Sequence, residues 1–259
     1  MLFQVQREFK DQMINIPVRT RSKERLVCRV LHYNKPHTVY FDTAPLIEGV
    51  EAFRVKIPKM PEAANIELYN EKFGNVRGDV SYQVGRITSS PIKMMITGIL
   101  DRTVNAFARF SDDFAENAGI MSAQNSVYVS PDGRFQIHYK DTIRDDSGKA
   151  LRTPARINAK TGIIEISKRY YINYTVPARK AINWHEFSHI FRNVNKADEL
   201  EADKNAIMIY LATGNPTVEA YNVFLKVFNN TPSDLNRARY NELNSFIKKF
   251  HETMNKQLR

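Results

Sequence analysis

The sequence predicts an α+β fold in two parts: a β-rich domain over residues 1–91, and a second domain over residues 92–259 that combines helices with a small mixed sheet. In the first part, short apolar runs alternate with turns that contain proline and asparagine, as is typical of short strands. After Pro91 the apolar residues recur at helical spacing instead. The chain of 259 residues is long enough for one domain of catalytic size and a smaller partner.

The first domain is expected to be a small sandwich or barrel, because several short strands follow one another at close spacing. It shows no catalytic constellation. His32 and His37 could form a metal-binding pair, but histidines this close to Pro36 are more typical of surface turns. The predicted strands are Leu2 to Val5, Leu26 to Tyr33, Thr38 to Phe41, Ala52 to Ile57, Ile66 to Phe73 and Val80 to Ile87.

The second domain alternates between helical and strand-like patterns, with strong turn signals between them. The phenylalanine stripe of its first helix, which contains Phe107, Phe110 and Phe114, is expected to form core. In chain order, the predicted elements are a helix that ends near Ala118-Gly119, a hairpin of Val127 to Val129 with Phe135 to Tyr139, a strand within Ile163 to Ile172, a helix opened by Pro177, and helical stripes from Val218 to Phe228 and from Leu235 to Phe250.

The most informative segment is His-Glu-x-x-His, residues 185 to 189, which lies within an amphipathic helical pattern. Residues four apart on a helix rise about 6 Å along its axis and lie nearly above one another, so His185 and His189 can bind one ion. Glu186 points slightly away from that line, where it could hold the water at the open fourth position of a zinc ion. The segment therefore predicts a zinc site with a general base for hydrolysis.

A third protein ligand is expected from the segment that follows, Glu199-Leu200-Glu201-Ala202-Asp203, which opens a second helical pattern. The intervening residues include Asn193, Asn195 and Asp198, which favour turns and helix N-caps, so the two helices can form a tight hairpin that brings Glu199 to the ion. Asp203 lies one turn beyond Glu199 and could accept the second ring N–H of a ligating histidine. Glu201 and Asp198 are the alternative third ligands.

These motifs resemble the gluzincins, zinc metallopeptidases with two histidines from His-Glu-x-x-His and a glutamate from a following helix. The resemblance implies that His185, His189 and Glu199 are zinc ligands, Glu186 the base and Asp203 an outer carboxylate that orients a histidine. It also implies a strand that aligns an extended peptide, formed by Ile163, Ile164, Glu165, Ile166 and Ser167. The short gap between the motifs is similar to that of minimal zincins in phages and mobile elements, crAss-like phages among them.

A later segment, Thr231-Pro232-Ser233-Asp234-Leu235-Asn236-Arg237, is similar to a His-Pro-Ser-x-x-x-Arg segment of some gluzincins. Threonine replaces the histidine here, so no role is expected for position 231. The resemblance makes Arg237 a candidate for anchoring the glutamate helix or for stabilising a developing oxyanion. Tyr210 and Tyr240 are alternatives for the oxyanion role, and the sequence does not rank them.

Composition limits the partners and the compartment. The net charge of +10 is compatible with an acidic partner or non-specific contact with nucleic acid, but the lysines and arginines are scattered and no nucleic-acid-binding motif accompanies them. The single cysteine, Cys28, excludes an intrachain disulfide. The N-terminus does not resemble a signal peptide, and no apolar run is long enough for a membrane span. We expect a soluble protein of the host-cell cytoplasm or of a virion.

Two functions follow from these observations. The first is a zinc-dependent endopeptidase with one Zn²⁺ per chain that hydrolyses an extended polypeptide. The second is a structural component of a phage particle, such as a tail, neck or ring protein built on a zincin fold. Its expected partners are other virion proteins, and it could also form a homo-oligomer. The β-rich first domain without catalytic features motivates this alternative.

Overall fold

A computed structural model describes residues 2–4, 11–35, 37–57, 63–71, 81–92, 101–124, 126–215, 221 and 233–257. The chain divides into two compact units, Met1–Met94 and Met95–Arg259, a division three residues after the predicted boundary at residue 91. Strands dominate the first unit, and helices and strands are combined in the second. The fold is therefore mixed α and β.

The described residues of the first unit form two antiparallel sheets. The strands are β1 (Leu2–Gln4), β2 (Gln12–Thr20), β3 (Glu24–His32), β4 (Val39–Thr43), β5 (Leu46–Ile47), β6 (Val50–Ile57), β7 (Ala63–Asn70), β8 (Tyr82–Val84) and β9 (Thr88–Pro91). One sheet has the order β1-β7-β3-β4, with β5 also paired to β3, and the other has the order β6-β2-β8, with β9 also paired to β2. The rings of Phe41 and Phe53 pack edge to face between β4 and β6, with centroids 6.1 Å apart.

Strand β2 is absent from the predicted strands because it crosses Pro17, and a proline indicates a turn between strands. Alternate side chains of the strand are buried, Ile14, Ile16 and Val18 among them. On one side of β2, strand β9 pairs with residues 12–15 and β8 with residues 18–20, so residue 17 lies opposite the break between them. The Pro17 carbonyl accepts a hydrogen bond from the Gly85 N–H at 2.9 Å. Proline is tolerated here because no partner strand requires its missing N–H.

The second unit places helices against a four-stranded mixed sheet. Its elements are α1 (Arg102–Asn117), β10 (Ser126–Val129), β11 (Gln136–Lys140), β12 (Ala155–Ile157), β13 (Ile164–Ser167), α2 (Lys168–Tyr171), α3 (Val176–Phe191), α4 (Glu199–Ala212) and α5 (Asp234–Gln257). The strand order is β10-β11-β13-β12. β11 and β13 are parallel, whereas the other two pairs are antiparallel. The predicted hairpin is confirmed as β10 and β11.

An aromatic and aliphatic core joins the helices to one face of this sheet. Phe107 of α1 stacks on Phe187 of α3 with ring centroids 4.3 Å apart and meets Trp184 edge to face at 5.1 Å. The side chains of Ile137 and Ile166 are fully buried in the same cluster. The expectation that the phenylalanine stripe forms core is confirmed. Because α3 lies in this core, the residues of its His-Glu-x-x-His segment have a rigid support.

Buried polar contacts further fix the first half of α3. Thr175 caps the helix by accepting the Ala178 N–H, and Pro177 lies in its first turn, as expected. The fully buried Arg179 guanidinium donates to three backbone carbonyls, at Ala115, Tyr171 and Ile172. Lys180, only 3% exposed, pairs with Asp112 at 3.1 Å and with Glu116 at 3.2 Å. These contacts tie α3 to α1 and α2.

Among the described helices, none combines the length and the apolar composition that crossing a bilayer requires. The predicted helical stripe from Val218 to Phe228 lies outside the described residues except for Tyr221, and so do Thr231 and Pro232.

Candidate metal centre

The loop between α3 and α4 is shaped by side chains that satisfy its backbone. Asp198 caps α4 by accepting the Glu201 N–H at 2.9 Å, as its position in the sequence predicts. The Glu201 carboxylate in turn accepts the backbone N–H groups of Val194 and Asn195, at 3.0 and 3.2 Å. The Glu201 side chain therefore binds the loop backbone. This network turns the chain sharply enough for the first residue of α4 to face the histidines of α3.

The structure brings His185, His189 and Glu199 together. The Nε2 atoms of the two histidines are 3.1 Å apart, and Glu199 oxygens lie 3.4 Å from Nε2 of His185 and 3.6 Å from Nε2 of His189. Within the described residues, this is the one group of three or more histidine, cysteine or acidic side chains whose ligand atoms converge. His32 and His37 belong to no such group in that part of the chain.

The second ring nitrogen of each histidine faces an acceptor. His189 Nδ1 lies 2.8 Å from the backbone oxygen of Lys196, and a carbonyl can only accept, so Nδ1 carries the proton. His185 Nδ1 lies 2.8 Å from Oδ1 of the buried Asp203, although that oxygen receives no hydrogen bond of good geometry within the described residues. The attraction of the carboxylate still favours a proton on Nδ1 of His185. In the neutral form of each ring, the Nε2 lone pair is thus directed to the centre of the cluster.

The three side chains of the cluster differ in protonation state. Contact with His185, together with the charge of the neighbouring positive groups, lowers the pKa of Glu199 to about 2. Glu199 is therefore a carboxylate at neutral pH. Burial lowers the pKa of His189 and favours its neutral form. Burial also acts to lower the pKa of His185, but Asp203 and Glu199 outweigh it and raise that pKa to about 10. A metal ion that binds here has to displace this proton.

Glu186 lies beside the cluster without being part of it. Its side chain faces the same cavity as His185 and is 8% exposed. Burial raises the pKa of Glu186 to about 7, against the opposing effect of His185, and its carboxylate accepts a backbone hydrogen bond from Ile157. A carboxylate with this pKa can both accept and return a proton near neutral pH, which suits a general acid–base group.

The arginine nearest the cluster is Arg239, and the prediction for Arg237 is corrected. Arg239 Nη2 lies 2.7 Å from Asp203 Oδ2 and 3.1 Å from Glu199 Oε2. The Arg237 side chain is 79% exposed and lies 3.9 Å from Asp234 on its own helix. Position 239 is two residues further along α5, about 200° around the helix, so the two side chains leave on opposite faces. Nothing in the motif resemblance identified Arg239.

The cluster opens into a cavity of about 420 Å³ between α3 and β12. Its lining includes the residues of β12, Ala181 and Ile182 of α3, and Lys196. Neither Tyr210 nor Tyr240 lines this cavity: the Tyr210 side chain is fully buried, and Tyr240 packs against the hydrophobic core. The structure therefore brings neither tyrosine to the position that an oxyanion-stabilising group requires.

The expectation for residues Ile163 to Ser167 is wrong in one respect. These residues contain β13, but β13 is paired on both sides, with β11 and with β12. It therefore has no free edge for a peptide. The edge strand beside the cavity is β12, which joins β13 through a turn in which Asn158 accepts the Lys160 N–H and Gly162 has a positive φ of 70°. The Asn and Gly of this turn are the sequence signal that could have revealed β12.

The donor set fits a zinc ion. Tetrahedral zinc with N and O ligands at about 2.0–2.2 Å would place those ligand atoms roughly 3.3–3.6 Å from one another. The two distances from Glu199 oxygens to the histidines, 3.4 and 3.6 Å, match this range, and the distance between the two Nε2 atoms, 3.1 Å, is slightly shorter. Once the His185 proton is lost, two nitrogen lone pairs and the Glu199 carboxylate face one another, and a cation between them would relieve their mutual repulsion. With three protein ligands, one coordination position stays open to the cavity.

No protein-family model matches the chain, and no solved structure matches it at a significant level. The function therefore has to be inferred from the site itself.

Proposed function

We propose that the protein is a zinc-dependent peptidase of the gluzincin type, in which His185, His189 and Glu199 hold one Zn²⁺ and Glu186 is the general base. One observation carries the proposal: three donor atoms spaced for tetrahedral zinc lie beside a buried glutamate in an open cavity. Under this proposal the second unit is a minimal zincin and the first a sandwich-like accessory domain.

A bound Zn²⁺ would supply the Lewis acid that polarises the scissile carbonyl and makes water a stronger nucleophile. The chain supplies the rest. Glu186 accepts the proton of the attacking water and delivers it to the leaving amine, a task for which its neutral-range pKa is suited. Lys196 is one of the residues that line the cavity, and its ammonium group is the candidate donor to the developing oxyanion.

Strand β12 is positioned to hold an extended polypeptide. The Asn158 N–H donates to Ile163, and the Pro154 carbonyl accepts from Ser167, so alternate backbone groups of β12 face β13. The backbone of Ile157 then faces the other way, towards the cavity, in agreement with its hydrogen bond to Glu186. A peptide added along this edge would place its backbone across the metal site.

The test compares wild type with Glu186→Gln at equal zinc content, using a broad peptide library at neutral pH. Glutamine keeps the size of the side chain but cannot accept the proton, so zinc should remain while hydrolysis falls by roughly a thousandfold or more. Glu201→Gln is the matched control, because its side-chain oxygen can still accept a loop N–H and residue 201 does not face the histidines, and it should retain most of the wild-type cleavage. Equal background cleavage by wild type and Glu186→Gln would contradict the peptidase proposal.

A structural component of a phage particle, located in the virion or the host cytoplasm, is the second proposal. The first unit favours it, because its two sheets form a separate compact unit whose described residues contain no converging metal-binding group. A fold that holds a metal site can serve assembly as well as catalysis. A wild-type chain that forms a ring or larger particle without cleaving peptides, and a Glu186→Gln variant that assembles equally, would favour this role.

A further inference from the structure

Arg239 reaches the candidate metal centre from α5, a helix that contributes no ligand. Its Nε and Nη2 atoms lie 2.8 and 2.7 Å from Oδ2 of Asp203, and Nη2 also lies 3.1 Å from Oε2 of Glu199. One guanidinium thus contacts both the third candidate ligand and the carboxylate behind His185. Its rigid planar fork fixes two acceptors at once, which a lysine ammonium does less well.

Both carboxylates depend on this contact, for different reasons. Asp203 is 1% exposed, and a buried carboxylate without a positive partner is strongly unfavourable. Glu199 is 50% exposed, so its side chain would otherwise be free to leave the position in which it faces the histidines. Arg239, itself only 14% exposed, neutralises Asp203 and restrains Glu199.

The position of Arg239 is set by the packing of α5 against the rest of the second unit. Leu243 and Ile247, one and two turns further along the helix, are 2% and 1% exposed in the core that includes Ile207 and Tyr210 of α4. Glu242 pairs with Lys204 of α4 at 3.2 Å. Undocking α5 would therefore remove Arg239 from both carboxylates at once.

We propose that metal binding and the docking of α5 are coupled through Arg239, which acts as a positioning residue for the centre. With α5 docked, Glu199 and Asp203 are held in their binding positions and the ion binds more tightly. By thermodynamic linkage, a bound ion must hold α5 in place by the same factor. This inference rests on the proposed binding of zinc by His185, His189 and Glu199, but not on peptidase activity.

The first experiment measures the zinc affinity of the full chain by competition with a chromophoric chelator. Arg239→Gln should bind zinc roughly ten- to a hundredfold more weakly than wild type, the size of effect usual for partners of metal ligands. Arg239→Lys keeps the positive charge, and its zinc affinity should lie between those of wild type and Arg239→Gln. Arg237→Gln is the matched control on the same helix and should equal wild type, because its side chain is 79% exposed and away from the centre.

The second experiment measures hydrogen exchange of wild-type amides in residues 239–247, with and without zinc. Zinc should slow their exchange in wild type and in Arg237→Gln, and much less in Arg239→Gln. If Arg239→Gln fails to fold, the comparison of wild type with Arg239→Lys tests the coupling instead. An α5 whose exchange is insensitive to zinc, or an Arg239→Gln affinity within twofold of the control, would overturn the coupling. A wild type that binds no zinc would instead overturn the proposed function.

Discussion

His185 Nδ1 lies 2.8 Å from Oδ1 of Asp203, so one histidine of the centre is supported by a buried carboxylate. The other histidine is supported by a neutral peptide carbonyl of the α3–α4 loop. An imidazole whose second ring nitrogen faces a carboxylate is a stronger electron donor to a metal than one whose second ring nitrogen faces a carbonyl. The two candidate histidine ligands therefore differ, and the metal affinity should depend more on Asp203 and its partner Arg239 than on the loop.

The assignment of the third ligand is tested by two neighbouring glutamates of α4. Glu199→Ala should lose zinc, because only two protein ligands would remain. Glu201→Gln should keep most of it, since the glutamine oxygen can still accept a loop N–H and residue 201 does not face the histidines. Elemental analysis of both purified variants provides the measurement. Full zinc in Glu199→Ala and its loss in Glu201→Gln would move the third ligand to Glu201.

A pH dependence is expected in the first unit, independent of the metal centre. The His32 ring is 9% exposed and its Nδ1 accepts the Asn34 N–H at 3.2 Å, a bond that requires the neutral ring. Burial, with a smaller effect of Lys35, lowers the pKa of His32 from 6.5 to about 4. Between these values the unfolded chain binds more protons than the folded one. This unit should therefore lose stability as the pH falls through that window.

The opening of this unit as the pH falls can be measured through the reactivity of Cys28. It is the single cysteine of the chain, its thiol is fully buried in β3, and burial together with Asp42 raises its pKa to about 12. An aromatic pyridyl disulfide, which reacts with thiols even in acid, should therefore label Cys28 only when the unit opens. Labelling, normalised to a model thiol, should accelerate by up to roughly a hundredfold over the window. His32→Asn keeps an acceptor for Asn34 but does not titrate, and an equally steep profile in this variant would exclude His32 as the cause.

The parts of the centre that could be predicted from sequence are those fixed by local geometry. His185 and His189 are one helical turn apart on α3, and Asp198 begins α4 through a cap that involves only its neighbours. The position of Glu199 follows once both helices and the short loop are given. Each of these steps depends on residues within about a dozen positions of one another, where spacing and capping preferences are informative.

The parts that could not be predicted depend on contacts between distant segments. Arg239 meets Asp203 across 36 positions, and the choice between positions 237 and 239 is decided by which face of α5 packs on α4. Strand β12 has three residues, too few for alternation to be recognised, and it exists through its pairing with β13. Strand β2 was hidden by Pro17, which is tolerated because of where β8 and β9 end.

The last prediction concerns the edge of the sheet. Ile157→Pro removes the N–H that Glu186 accepts and places a ring where the backbone of β12 faces the cavity. Proline is tolerated in an edge strand when its nitrogen points away from the neighbouring strand. The backbone groups of Pro154 and Asn158 face β13, and the direction alternates along the strand, so the nitrogen of residue 157 points away from β13. The fold and the zinc content should therefore remain. Under the peptidase proposal, kcat/KM for peptides should fall by roughly a hundredfold or more, because both the general base and the substrate backbone lose a partner.

Ile157→Val is the control for this prediction, because it changes the side chain but leaves the backbone N–H in place, and it should retain most of the activity. The measurement is kcat/KM for a peptide that the wild type cleaves, with each variant at full zinc occupancy. If Ile157→Pro cleaves that peptide as well as Ile157→Val does, the substrate does not lie along β12. Loss of zinc from Ile157→Pro would show instead that this strand supports the centre itself, since none of its residues is a candidate ligand.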